Sequence, residues 1–552
     1  MKNILIYLPA LFLLFGCEDF LNRAAYDQMD SENFYRNAEE INAAVMACYN
    51  GIHGTLNNEF FLTEVRSDNT RHEGQGSTTG TSLEIANLDL FKVEPSNTIN
   101  NAYWEKAYHN IANCNTVLGH SQVVTNVTLR EQYDAEARFI RAYHYFNLVR
   151  LYGPLFLVTE RITAEEAKNY ERSTVDAVYR LIIDDLDYAS RKLPVKYDSS
   201  NIGRVDQWGA KTLLGKVYLT LSKNGMDKEM LTQAKLLLED VEKNSGYGLV
   251  TSSYADVFSI SNEMNKEMIF VSRYLSGGNG LGSPFANYFA PVNSENMILT
   301  GSGNGYNCPT EDLISTYNSE AGETRKDVIL KEFWIDQKGA TQYVSYVTKY
   351  LSPVTVRYDA ENDWPILRFA DVLLMLGEQF EHVIALCRDL FSKKLHDYGP
   401  AWRILRPASV TDQIFIKANR IRSIETKGVT LIDEGIRAEF IAIVNYGIVG
   451  LIQLELGYAE SADISNEEAM ALYDKYAKEA LELMLAKNHD YDEAWRSMRV
   501  SSYTDLILMK IYRTKQIETL SGNTLVSEGI DANYMDMINY SVFGLIKIEF
   551  EG

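Results

Sequence analysis

The chain has 552 residues, with 53 Lys and Arg against 75 Asp and Glu and a formal charge of −22. Hydrophobic residues make up 46%, enough for packed cores, so wholesale disorder is excluded. The acidic balance argues against nucleic-acid binding, which leaves a basic footprint, and against docking on anionic lipid headgroups, while five cysteines exclude a disulfide framework.

At the N-terminus, Lys2 and Asn3 precede an apolar run from Ile4 to Phe15, followed by Gly16-Cys17. A positive start, a short apolar stretch and a small residue before the cut describe an export signal, residues 1–17. The run is shorter than the roughly 20 residues that span a bilayer. Cys17 stands where a bacterial lipoprotein carries its lipid, so lipid attachment at Cys17 is expected. A buried N-terminal helix with an incidental cysteine is the alternative.

From residue 18 to about 376 the chain reads as helical. Asp30-Ser31 is expected to cap a helix whose apolar stripe runs through Phe34, Ile41, Val45 and Tyr49. Tyr103 to Leu118 and Glu131 to Tyr152 follow, the latter stopped by Gly153-Pro154. Ser173 and Asp176 look like a capping-box start for the next helix, which ends at Leu193-Pro194. Asp206 caps another, and 228–244 pairs with it as a hairpin. Paired amphipathic helices in series predict an all-α helical-repeat scaffold. Arg138, Arg141 and Arg368 are expected to pair with Glu136, Asp184 or Asp371. Three long polar stretches, 67–83, 273–308 and 352–363, exceed ordinary loop lengths and are therefore functional candidates.

Several segments resemble the SusD/RagB family of outer-membrane nutrient-uptake lipoproteins. They are Cys17-Glu-Asp-Phe-Leu21, Trp104-Glu-Lys-Ala-Tyr108, Glu136-Ala-Arg138 through Gly153-Pro154, Gly203-Arg204, Asn265-Lys-Glu267-Met-Ile-Phe270, Lys349-Tyr350 and Trp364 through Leu376. The resemblance implies a tetratricopeptide-like body, lipid-anchored at the cell outer membrane as a lid over a TonB-dependent transporter. It also implies an oligosaccharide or peptide ligand, no cofactor and no catalysis. Sugar faces pack on aromatic rings and their hydroxyls need amide or carboxylate partners. Loop residues Arg66, Asp68, Asn69, Tyr274, Phe285, Tyr288 and Tyr306 are therefore the ligand candidates. Gly278-x-Gly280-x-Gly282 has the wrong spacing for a dinucleotide loop.

After Leu376 the resemblance stops, and the family's C-terminal portion is replaced by an internal duplication. At an offset of 93, 17 of the 33 positions from 394 to 426 are identical. Trp402 thus corresponds to Trp495, and after a one-residue insertion Asn445-Tyr446 corresponds to Asn539-Tyr540. Each copy, 379–456 and 465–552, reads as three helices: 379–395, 411–427 and 433–456, then 466–488, 504–520 and 527–549. Thr430 to Asp433 and Ser465 to Glu468 read as capping boxes, and two such units would form a helical bundle.

The repeated residues suggest chemistry. Lys417 and Arg420 share a helix face and could hold phosphate, as could Lys510 and Arg513. Tyr398 and Trp402, with Tyr491 and Trp495, could stack on a base. Asp397 and Asp490 repeat beside them, and Asp397, Asp412 and Glu434 could ligate magnesium, although no metal site is firmly indicated. The same charges could instead form symmetric pairs locking the two copies together. This half resembles a nucleotide-modification-associated domain of formerly unknown function. That resemblance implies an intracellular setting, at odds with the export signal. The alternative reading is therefore an intracellular nucleotide-binding protein, the fusion being recent or artefactual.

Overall fold

The computed structural model describes residues 34–222, 227–319, 323–428, 435–491, 495, 498–519 and 529–550. Cys17, the Asp30-Ser31 cap and the Thr430-to-Asp433 start lie outside these residues. The chain divides into two compact units, Met1–Val217 with Asp240–Val372, and Tyr218–Glu239 with Leu373–Gly552.

In the first unit, helix Val127–Tyr152 packs against both Thr98–His120 and Val175–Lys192. Phe139, Tyr143, Phe146 and Val149 recur at helical spacing and are all buried. Gly153, at φ +71°, ends the helix in a conformation that an L side chain rarely adopts. Asp206 caps its helix as expected, accepting from the Trp208 and Gly209 amides at 3.0 and 2.9 Å. Helix Val175–Lys192 is capped by Thr174 rather than Ser173; its hydroxyl accepts from the Ala177 amide.

The buried ion pairs differ from those expected. Arg138 and Arg141 both reach Asp185, at 2.9 and 2.8 Å, instead of Asp184. The inward face of that helix carries Val178, Ile182, Asp185 and Ala189, which turns Asp184 outward. Glu136 accepts from Arg204 at 3.0 Å and from the Tyr49 hydroxyl at 2.8 Å. Arg368 pairs with Glu267 and Asp371 with Lys216. Glu267 precedes Met268–Ser272, a wholly buried strand that pairs antiparallel with Trp364–Arg368. The two family-like segments around 265–270 and 364–371 are thereby joined by a ladder and an ion pair.

In the second unit the duplication is visible as twofold packing. Pro407–Lys427 lies against Val500–Thr519, and Ile436–Leu456 against Ile530–Phe550. Each helix lies against its own counterpart, so the side-chain contacts between the copies come in pairs, as a twofold relation requires. The Thr411 hydroxyl donates to Glu518 at 2.8 Å and the Thr504 hydroxyl to Glu425 at 3.1 Å. Lys515 pairs with Asp412, and Arg422 with Asp505. A Cβ added at Gly450 would meet the Tyr534 ring at 2.7 Å, and one at Gly544 would meet Phe440 at 3.0 Å. The Ser465–Glu468 box forms, the Glu468 amide donating to the serine hydroxyl at 3.1 Å. Among the described residues Ile436–Leu456 is the helix long and apolar enough to cross a membrane, but 67% of its most apolar window is buried, as befits a core helix.

The sequence break at 376–379 is not a break in structure. Phe369–Tyr398 is one continuous helix, so the expected start at 379 falls in mid-helix. Val372, Met375, Leu376, Phe380, Val383, Cys387 and Phe391 are all buried along it, so the apolar register passes through the junction intact.

Candidate functional site

Two of the three long stretches meet in the first unit. Thr70–Arg71 pairs antiparallel with Cys308–Pro309, and the Glu73 amide donates to the Gly305 carbonyl at 2.8 Å. This tie brings Phe61 and His72 within 5.1 and 5.6 Å of the Tyr306 ring, measured between centroids. Tyr306 in turn lies 5.2 Å from Tyr288, and Tyr288 lies 5.9 Å from Tyr358. The third stretch supplies Tyr358, so the three tyrosines form one aromatic platform.

Asparagines fix the platform. The Tyr358 hydroxyl donates to Asn304 Oδ1 at 3.0 Å, and Asn304 Nδ2 donates to the Tyr306 hydroxyl at 3.2 Å. Fully buried Asn287 accepts from the Tyr358 amide at 2.8 Å and donates to the Thr300 carbonyl. Tyr358 sits at φ +65°, a costly conformation for a bulky residue that this bond helps to hold. The Arg357 guanidinium lies 4.6 Å from the Tyr358 centroid. Burial pushes the Tyr288 phenol up to about 12 and raises that of Tyr306, further from the neutral range in which any tyrosine already carries its O–H. The rings are set edge to face, with planes 63° apart for Tyr288 and Tyr306 and 66° apart for Tyr288 and Tyr358, so the cluster offers inclined aromatic surfaces, Tyr358 the most exposed, edged by hydroxyl, amide and guanidinium groups.

The other loop candidates are placed elsewhere. Phe285 is buried, 4.0 Å from the Trp364 ring, and belongs to the core. It begins the short helix Phe285–Phe289, whose inward face also carries Phe289. Arg66 lies over Phe91, and its Nε is buried without a hydrogen-bond partner. Asp68 and Asn69 are exposed, and their carbonyls accept from the Thr310 hydroxyl.

Tyr274 stacks on His53, centroids 4.4 Å apart, in a separate cleft of about 590 Å³ lined also by Tyr49, Arg204, Arg273 and Glu361. The cleft is bordered by acidic groups. Arg273 reaches Asp363 at 3.1 Å and Glu263 at 3.5 Å. Burial, then the Asp363 charge, pushes the Glu263 carboxyl up to about 7. The glycine-rich stretch is anchored by one carboxylate, since the Gly277 and Gly278 amides both donate to Asp359 Oδ2 at 2.8 Å. His53, Arg357 and Tyr358 were not singled out from sequence; for the last two, the unusual length of 352–363 was the available signal.

In the second unit the phosphate candidates face carboxylates. Glu439, 1% exposed, takes both Lys417, at 3.2 Å, and Arg420. In the second copy Asp536 takes Lys487 and Lys510. Glu439 corresponds to Asn533, so the counter-charge has moved one turn along the helix between copies. Arg513 and Asp397 are exposed, Asp397 standing 3.3 Å from His396. Asp412 is engaged by Lys515 in the twofold interface. Tyr398 is exposed, Trp402 half-buried and Trp495 buried. Asp490 and Tyr491 end helix Asn466–Tyr491, with side chains outside the described residues, as is Glu434. Among the described residues no group of three or more His, Cys, Asp or Glu is placed to hold a metal ion.

Residues 19–219 match the family model described as "Starch-binding associating with outer membrane", and 394–454 with 487–548 match "Nucleotide modification associated domain 1". SusD-like protein P25 of Formosa agariphila is 28% identical over 284 residues, 49% of this chain and 51% of that protein. A SusD-like protein of Bacteroides ovatus is 28% identical over 288 residues, 50% of this chain and 51% of that protein. The chain thus spans about half the length of these curated relatives. Among solved structures, a laminarin-binding SusD-like protein superposes with a TM-score of 0.54 at 24% identity, covering 62% of this chain and 80% of that one. Surface glycan-binding protein A from Bacteroides thetaiotaomicron, in complex with laminarihexaose, gives 0.53 at 19% identity, covering 62% and 78%. These likenesses show the helical fold of the first unit. The chain therefore carries a SusD-like region followed by a duplicated nucleotide-modification-associated domain.

Proposed function

We propose that this protein binds oligosaccharide on the Tyr288–Tyr306–Tyr358 platform, at the cell surface, for uptake by a partner TonB-dependent transporter. The observation that carries the reading is the shared Asn304, which bridges the hydroxyls of Tyr306 and Tyr358 and so orients two rings from different loops. A lipid on Cys17 would hold the protein at the outer membrane. The printed descriptions of two structural neighbours, one laminarin-binding and one holding laminarihexaose, make laminari-oligosaccharides the first ligands to test. Calorimetry on the full mature chain with laminarihexaose and a panel of other oligosaccharides should give binding that Tyr288→Ala weakens about tenfold or more. Binding confined to peptides would sink the glycan reading.

A second reading, an intracellular nucleotide-binding protein, draws on the two-copy match over 394–454 and 487–548. Fractionation separates the two. Membrane recovery that Cys17→Ala abolishes supports export; recovery of the unprocessed chain from the cytosol supports the second reading.

A further inference from the structure

The duplication supplies an internal comparison. Trp402 corresponds to Trp495, and Val449 corresponds to Phe543 at the offset of 94 that follows the insertion. In the second copy the Phe543 ring lies face to face on Trp495, centroids 4.2 Å apart and planes 9° from parallel. In the first copy the smaller Val449 stands at that place, and a cavity of about 260 Å³ opens beside Trp402. Its lining includes Phe391, Lys394, Tyr398, Asn445 and Tyr446 besides Trp402 and Val449. The same backbone frame is thus filled by an aromatic ring in one copy and open in the other.

We infer that the first copy binds a nucleotide whose base stacks on Trp402, in the place that Phe543 occupies in the second copy. The cavity is smaller than the roughly 300–1,000 Å³ of sites that enclose a drug-sized ligand, so it suits a single ring system with the rest of the ligand outside. Aromatic faces take every base, because every base has a π-face. Asn445 is held, its Nδ2 donating to the Cys387 carbonyl at 3.0 Å and its Oδ1 accepting from the Tyr473 hydroxyl at 2.8 Å, so it shapes the wall. Lys394 is exposed at the cavity and supplies the cation that a phosphate needs. Lys417 and Arg420 are not required, since Glu439 engages them. The assignment rests on the nucleotide-binding reading of 394–454 and 487–548 and places its ligand; it does not draw on the glycan reading, which concerns the other unit.

The test uses the full mature chain and a panel of AMP, GMP, CMP, UMP and dTMP, with binding read by calorimetry and by ligand-observed NMR. At least one nucleotide should bind. Val449→Phe, which copies the second unit's residue, should fold with an unchanged or raised melting temperature and lose binding about tenfold or more. Trp402→Leu should lose it likewise, which keeps the test decisive if Val449→Phe fails to fold. Lys394→Gln should weaken the nucleotide while leaving the matching nucleoside unchanged. Failure of the whole panel to bind would overturn the inference. So would parental affinity in a folded Val449→Phe protein, or saturation of the cavity by indole with no competition from any nucleotide.

Discussion

Asp185 is completely buried and holds two guanidiniums, with Asn115 accepting a further bond from Arg141 at 2.8 Å. Removing one member of such a pair leaves a buried charge uncompensated. Asp185→Leu should therefore destabilise the first unit by about 3–5 kcal/mol, read by denaturant unfolding; a loss below about 1 kcal/mol would mean that Arg141 finds water or another partner. Glu263 behaves in the opposite sense. Its folded pKa of about 7 lies above the ordinary 4.5, so its contribution to stability is complete below 4.5 and is lost as pH rises through about 7. Glu263→Gln, neutral throughout, should flatten the fall in melting temperature between about pH 5 and pH 8. Identical slopes for the two proteins would show that the carboxyl is already ionised in the fold. At this scale sequence indicated the charges but not all their partners. Arginines inside an apolar helix announce a buried carboxylate, yet choosing Asp185 over Asp184 needs the rotation of a second helix. Likewise Tyr288 and Tyr306 were legible as loop aromatics. Phe285 looked equivalent, because an irregular segment has no period to separate core from surface.

Among the elements, helices were the most legible, since 3.6-residue periodicity and caps such as Asp206 and Ser465 mark them directly. The three-helix content of each copy followed from the same signals, with most ends shifted by a few residues, whereas the expected start at 379 falls inside helix Phe369–Tyr398. Two-residue ladders such as Thr70–Arg71 with Cys308–Pro309 carry no such signal, and yet that ladder ties 67–83 to the stretch that carries Tyr288 and Tyr306. Symmetry adds a sharper expectation. At Gly450 the helix approaches Tyr534 too closely for any side chain, and Tyr534 is itself fully buried. Gly450→Val should cost about 1–3 kcal/mol by overpacking, seen as a lowered melting temperature of the second unit. The same substitution at Gly457, with open space around its Cβ position but φ +73°, would act through backbone strain alone. If Gly450→Val leaves stability unchanged, the close helix crossing does not exist.

For the molecule as a whole, composition hid the join between two unrelated sequence patterns, and both parts are acidic. The junction was legible as a change of pattern but not as a change of structure, because the apolar stripe from Val372 to Phe391 keeps its register across it. The first unit presents two aromatic features, the tyrosine platform and the Tyr274–His53 cleft, and the proposed glycan site is the first of them. The most direct measurement is a crystal structure of the full mature chain with the tightest-binding oligosaccharide. The account predicts sugar density across Tyr288, Tyr306 and Tyr358, with hydroxyls within hydrogen-bonding distance of Asn304 and Arg357. Density confined to the cleft between His53 and Arg273, with the tyrosine platform bare, would contradict it.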